Sequence, residues 1–276
     1  MHDLVQFEIL PVGGGADEAA ELPEHTRLTV TCSPRHGPDL TVEVATRLRA
    51  LGHAATVHLA ARMVRDRAHL DGLLAAMAHA GIDDAFLIAG DATPPQGPYS
   101  SSVELLPLVD QHVHRPHRIG IAGYPEGHPL IPAGELAEAL ERKSGQADYI
   151  TTQLCFDPGA LVAWAEATRA AGIHLPVFVG LPGVVDRRRL LEISVRVGVG
   201  PSLAFLRKQR SLRSLLRLSG YSLDRLHDAI EPHVGESRLN IVGFHYYTFN
   251  QLLATWRWAQ ERHGEAGESS VPDQAG

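Results

Sequence analysis

The chain has 276 residues, 44% of them hydrophobic, so a sizeable core is available, and one barrel of about 250 residues suits this length better than two domains. Its formal net charge of −7 argues against a nucleic-acid partner, because neutralising phosphates needs a Lys/Arg surface. Two cysteines, Cys32 and Cys155, give neither a disulfide framework nor zinc spacing, no run reaches the roughly 18 apolar residues of a membrane span, and MHDLVQFEIL lacks the features of a signal peptide; a reducing cytoplasm is the expected home.

Strand 1 is expected at about 4–10, followed by a loop with one helical turn in which Gly13 to Gly15 form a flexible strand-end segment. Those glycines lack the GxGxxG spacing and the immediate long helix of a dinucleotide fingerprint. Strand 2 (27–32) leads to a helix at 39–51, with Asp39 as its expected cap. Strand 3 (54–60) is followed by Asp66 and an amphipathic helix ending at Gly81. Strand 4 (84–89) runs into a Gly/Pro loop and a helix reaching about 113. Strand 5 (117–122) precedes a helix at 133–144, and strand 6 (147–153) a helix at 158–171. Strand 7 (175–180) is followed by helical stretches at 186–196, 201–217 and 222–235, the second carrying the basic cluster Arg207 to Arg217. That cluster reads as a solvated helix face, or as a grip on phosphates or a polyanionic tail. Strand 8 (239–245) and a helix at 249–263 complete the set, and the polar end, 265–276, reads as disordered.

Strands alternating with helices argue for a parallel sheet with helices outside it. Eight such units favour closure into a single (β/α)8 TIM barrel over residues 1–264, with extra helices between strands 7 and 8, over a doubly wound open sheet. In that barrel the C-terminal strand ends build the active site. Polar residues stand at these ends: Glu8, Cys32, His58, Asp91, Tyr124, Glu126, Gln153, Tyr246 and Tyr247. Glu8 lies in a run that reads as a buried strand, and burial without a cation favours the protonated acid. Asp91 precedes a Pro-rich loop and serves either as a turn cap or as an acceptor for the N–H groups of a heterocycle. Tyr124 and His128 share a strand-end loop with Glu126, and Gln153 offers both a donor and an acceptor for a ring edge. His112, His114 and His117 match no metal motif, and no metal is expected.

Taken in order, these motifs resemble the methylenetetrahydrofolate reductase family. FEFFPP of the family is Phe7 to Pro11 here, its VTY is Val30 to Cys32, its PHL is Val57 to Leu59, and its RGD is Ala89 to Asp91. AAYPExHP is Ala122 to Pro129, LKRK is Leu140 to Lys143, and ITQxxFD is Ile150 to Asp157. GILP is Gly180 to Pro182, and FHFYTLNR is Phe244 to Gln251. The resemblance spans about residues 5–260.

The resemblance implies a barrel that reduces 5,10-methylenetetrahydrofolate to 5-methyltetrahydrofolate with NADH or NADPH. It makes Glu8 the proton donor, sets Asp91 against cofactor and folate, and gives Gln153 and Tyr247 folate contacts. His58, Tyr124, His128 and Lys143 would line the cofactor pocket. The chemistry suits these residue types: opening the imidazolidine ring leaves a cationic iminium at N5 and needs an acid for the departing N10 amine, while a carboxylate stabilises developing positive charge. The chain departs from the family at Ala89, where a cation near the flavin diphosphate is expected, at Leu136, where an Asp would bond a ribose, and at Gln251, where an Arg would grip the folate tail. These departures favour direct hydride transfer from NADH over an ordinary FAD enzyme; a folate- or nucleotide-binding barrel without catalysis is the other reading.

Overall fold

A computed structural model describes residues 5–128, 130–185 and 222–265. Its strands are β1 (Val5–Ile9), β2 (Arg27–Val30), β3 (Ala54–Ala60), β4 (Asp84–Ile88), β5 (Arg118–Gly123), β6 (Tyr149–Thr152), β7 (Val177–Pro182) and β8 (Ile241–Tyr247). Each pairs in parallel with the next, and β8 pairs with β1, so the sheet closes and the open doubly wound alternative falls. Helices α1 (Gly15–Glu18), α2 (Gly37–Ala50), α3 (Arg67–His79), α4 (Ser102–Asp110), α5 (Ala133–Ser144) and α6 (Pro158–Ala170) connect the first seven strands. Helices α7 (Leu223–Ile230) and α8 (Leu252–Glu265) flank β8. The helical stretches expected at 186–196 and 201–217, with the basic cluster, lie outside the described residues, as does the tail from 266 onward.

Two local expectations are corrected. Helix α2 begins at Gly37 with Pro38 in its first turn, where proline's fixed φ is preorganised, so Asp39 is not the cap. Asp39 instead pairs with Arg65 and His69, each at 3.1 Å. Helix α8 starts late because Phe249 and Asn250 both lie at positive φ (51° and 60°), outside the helical region. In the glycine loop after β1, Gly13 and Gly14 are exposed and Gly15 is packed, since a Cβ on it would lie 2.6 Å from Asn250 Oδ1, the atom that accepts from the Leu10 N–H at 2.9 Å.

Strand periodicity of two builds two concentric layers. Phe7, Ile9, Leu28, Val30, Val57, Leu59, Val179 and Leu181 join the helices in the outer core. Each such side chain, fully buried, contributes about 1.5–3 kcal/mol. Inside the ring, Phe86, Tyr149 and Phe178 pack together.

The N-terminal strand ends are closed by a polar plug. The Tyr149 hydroxyl donates to Asp84 Oδ1 at 2.9 Å, and Arg118 and Arg27 approach Asp84 Oδ2 at 3.6 and 3.8 Å. Burial pushes the Asp84 carboxyl up to about 7, against the pull of Tyr149 and Arg27. The Tyr149 ring fits here because Gly120 has no side chain; a Cβ there would stand 2.3 Å from Tyr149 Cζ. Gly120→Ala is therefore expected to destabilise the barrel by about 1–3 kcal/mol through overpacking. Calorimetry should read a melting temperature lower by roughly 2–4 °C per kcal/mol, and an unchanged melting temperature would show that the plug yields freely.

Candidate active site

Phe7 and Ile9 face the outer core, so alternation turns Glu8 into the barrel. Its side chain is only 11% exposed, and Oε2 stands 3.2 Å from His245 Nε2 and 3.5 Å from His58 Nε2. Among the described residues its ion-pair partners are these two imidazoles, with no lysine or arginine beside it. His58 is buried with its ring 4.8 Å from that of Phe86. Burial lowers its pKa to about 4, although the Glu8 charge pulls the other way, so His58 is neutral at neutral pH. His245 meets Gln6 Oε1 through Nδ1 at 3.1 Å. Sequence reasoning gave His245 no role, although it stands two residues before Tyr247 and therefore on the same face of β8.

Tyr247 closes the wall beside Glu8. Its hydroxyl donates to the Thr152 carbonyl at 3.0 Å, and its ring occupies the space a Cβ on Gly180 would enter, 2.8 Å from Cε2. Burial, and then the Glu8 charge, raise its pKa well above the usual phenol value. The phenol offers a ring face to a ligand, while its donor is already bound to backbone.

A second group gathers at the ends of β4 and β5. Gly90 turns the chain at φ 79°, pressed against β3 so that a Cβ would lie 2.8 Å from that of Ala60. Asp91 follows, exposed, and its charge acts on both Tyr124 and His128. Burial, then Asp91, raise the Tyr124 pKa; partial burial lowers that of His128, with Asp91 opposing. The Tyr124 and His128 rings meet edge to face at 5.5 Å, and His128 Nδ1 accepts from the Leu130 N–H at 3.2 Å. Glu126 ties this loop to the next by accepting from the N–H groups of Phe156 and Asp157 (3.0 Å for the latter). Gln153 folds its carbonyl back onto the Leu154 N–H at 2.9 Å.

Lys143, on α5, is buried, and burial alone lowers its pKa to about 8. Its ammonium makes no hydrogen bond or ion pair with another described residue, and a buried charge without a partner is driven towards its neutral form. Sequence reasoning also passed over Arg62: its backbone N–H donates to the Ala89 carbonyl at 2.9 Å and its Nε to the Ala92 carbonyl at 2.8 Å. A cation thus stands on the loop where Ala89 lacks one. Cys32 and Cys155 are free, with thiol pKa values raised to about 11 and 12 by burial, which leaves them inert. His227, Asp228 and Glu231 are the one trio of metal-type ligands close together among the described residues. They lie on and just after α7, outside the barrel, where Asp228 already pairs with Arg262.

A closed parallel barrel with a buried acid and imidazoles at its C-terminal strand ends has the layout of a (β/α)8 enzyme. The family model described as methylenetetrahydrofolate reductase matches residues 22–256. The chain belongs to that family, an oxidoreductase family. It is 27% identical over 174 residues to methylenetetrahydrofolate reductase 2 of Saccharomyces cerevisiae (59% of this chain, 29% of that protein). It is 34% identical over 93 residues to methylenetetrahydrofolate reductase 1 of Schizosaccharomyces pombe (33% and 15%). It is 26% identical over 177 residues to methylenetetrahydrofolate reductase (NADH) 1 of Zea mays (56% and 29%). The matched stretches thus cover less than a third of each relative. A putative lyase/mutase from Burkholderia cenocepacia shares the fold, with TM-score 0.51 and 15% identity over 98% of this chain and 88% of that one. No helix among the described residues is long and apolar enough to cross a membrane.

The exposure of Asp91 gives a direct check on its part in the site. Asp91→Asn should change folding stability by no more than about 0.5 kcal/mol, as for surface substitutions generally, while weakening folate binding or turnover. A collapsed melting temperature with normal turnover per folded molecule would make Asp91 a structural cap.

Proposed function

We propose that the protein reduces 5,10-methylenetetrahydrofolate to 5-methyltetrahydrofolate, with NADH as direct hydride donor. The observation that carries this reading is Glu8, an acid almost enclosed by the barrel and faced by imidazoles rather than by a fixed cation. A carboxyl enclosed in this way is placed to hand a proton to a leaving amine.

NADH, when bound, supplies the hydride that reaches the methylene carbon. Glu8 supplies the proton that N10 takes as the imidazolidine ring opens. The sum is one hydride and one proton added, with NAD and the methyl product released. Asp91, across the mouth, stabilises the positive charge that develops at N5 as the C–N10 bond breaks. Gln153 presents its amide to the pterin edge, and Tyr247 presents its ring as a wall. The polar ends of His128 and Tyr124 face the same loop as Asp91 and border the dinucleotide.

The nicotinamide dinucleotide fits Lys143, a buried ammonium with no anion among the described residues, and Arg62 adds a cation beside the β4 loop. FAD fits less well. The position that would bond its ribose is Leu136, two helical turns before Lys143 on α5, and Ala89 offers its diphosphate no charge. Two missing charge-assisted bonds, each worth roughly 1.5–3 kcal/mol, weaken retention by about two to four powers of ten.

The test is NADH oxidation with methylenetetrahydrofolate by the purified, colourless protein. Sequential kinetics and transfer of deuterium from C4-labelled NADH into the product methyl group are expected. Ping-pong kinetics, or a stoichiometric flavin surviving dialysis, would restore the flavoenzyme, and folate binding without NADH oxidation would leave only a binding barrel. Glu8→Gln should retain ligand affinity and lose about 10²–10⁴-fold in rate, the usual share of general acid catalysis; a rate within about twofold of the parent would remove Glu8 from the proton-donor role.

Lys143 adds a pH dependence. Only the protonated amine attracts a diphosphate, and its pKa in the free protein is about 8. NADH affinity, followed by nucleotide fluorescence, should therefore hold below that value and fall as pH rises through it. Lys143→Met should bind more weakly at pH 7 with this dependence gone. If the variant keeps the parental curve, the dinucleotide phosphates lie elsewhere.

A further inference from the structure

Gln6 and His245 are both almost completely buried, at 2% exposure each, and stand opposite one another where β1 pairs with β8. Gln6 Oε1 faces His245 Nδ1 at 3.1 Å. An amide oxygen only accepts, so in this arrangement Nδ1 carries a hydrogen. The other ring nitrogen, Nε2, faces Glu8 Oε2 at 3.2 Å. Two arrangements satisfy that contact. A neutral ring accepts from a protonated Glu8, or a doubly protonated ring donates to the carboxylate. Both place one proton between Glu8 and His245.

Among the described residues no other group near Glu8 takes over this task. His58, from β3, is 3.5 Å away and kept neutral by burial. Thr29, opposite on β2, does not titrate in this range. Tyr247, from β8, has given its hydroxyl hydrogen to Thr152. The proton economy of the site therefore rests on Glu8 and His245 as a pair.

The Gln6 amide has a second orientation. Its Nε2 is buried without a hydrogen-bond partner, so turning the amide over exchanges one unpaired atom for another. In the turned state the amide donates to Nδ1, the ring hydrogen moves to Nε2, and a neutral His245 donates to the Glu8 carboxylate. One amide thus matches His245 to Glu8 before and after the acid has lost its proton. We propose that Gln6 sets the ring tautomer of His245 and through it the proton held by Glu8, so that His245 and Gln6 are positioning residues for the acid. This rests on the reductase reading only where it concerns turnover; the tautomer itself can be read without substrate.

The test combines nitrogen NMR of histidine-labelled full-length protein with kinetics of Gln6→Leu, Gln6→Glu and His245→Gln. The parent should show His245 as the Nδ1–H tautomer or the imidazolium, in a titration shared with Glu8 and altered by Glu8→Gln. Gln6→Glu, which can only accept, should hold the Nδ1–H form, and Gln6→Leu should release it towards Nε2–H. An identical His245 tautomer and titration in parent, Gln6→Leu and Gln6→Glu would overturn the proposal whatever the activity. In turnover, His245→Gln should lower kcat by about 10–100-fold with KM for NADH unchanged. Its pH profile should differ from that of the parent, because the proton is then no longer shared with an imidazole. A parent without turnover whose tautomer responds as described would overturn the reductase reading and leave the Gln6–His245–Glu8 linkage standing. A His245→Gln enzyme with parental kcat and pH profile would remove the pair from the reaction.

Discussion

The pairing of β8 with β1 is the contact on which the mouth of this barrel depends. Its register sets Gln6 opposite His245 and Glu8 opposite Tyr247, and by that alignment the acid acquires the neighbours that β8 supplies. A shift of one residue would turn Glu8 into the outer core, against leucine and valine, and expose Phe7 to the interior. Asn250 holds the alignment by accepting from Leu10 and donating to the Val12 carbonyl. Thr248 adds a further link, its backbone N–H donating to the Glu8 carbonyl at 3.1 Å.

The two ends of the barrel use buried charge differently. At the base, Asp84 has two guanidinium groups and a phenol around it, and the plug is filled. At the mouth, Glu8 has the imidazoles of His245 and His58 and, among the described residues, no guanidinium or ammonium beside it. Paired charge at one end and underpaired charge at the other follow the division of a barrel into a supporting face and a working face. The cost of keeping Glu8 underpaired is carried by the outer core, where aliphatic side chains are buried on every strand.

Much of this was legible in the sequence. Eight apolar runs alternating with helical stretches placed every strand to within about two residues, because strand periodicity and turn residues are local signals. Glu8, His58, Asp91, Tyr124 and His128 stood out as polar residues at strand ends. What escaped were pairings across the closed sheet. His245 and Gln6 look unremarkable in their own strands, and only the β1–β8 register brings them to Glu8. Arg62 lies in a connection after β3 and acquires its place through contacts with the β4 loop. The Asp39 cap failed for a local reason, since Gly37 and Pro38 start the helix earlier than the aspartate suggests.

The seam between the two ends of the chain also bears on how the site comes into being. Gln6 and His245 are 239 residues apart, and Leu10 and Asn250 are 240 apart, so the contacts that surround Glu8 are among the most non-local the chain can make. Such contacts bear the largest loop-closure entropy and form late in folding. During synthesis the acid emerges 237 residues ahead of its partner His245. A nascent chain carrying the first seven strands therefore has Glu8 in a sheet that still has two open edges, reached by water and without His245. The contact between Glu8 and His245 exists only once the ring has closed, so a folding intermediate that stops short of β8 lacks it.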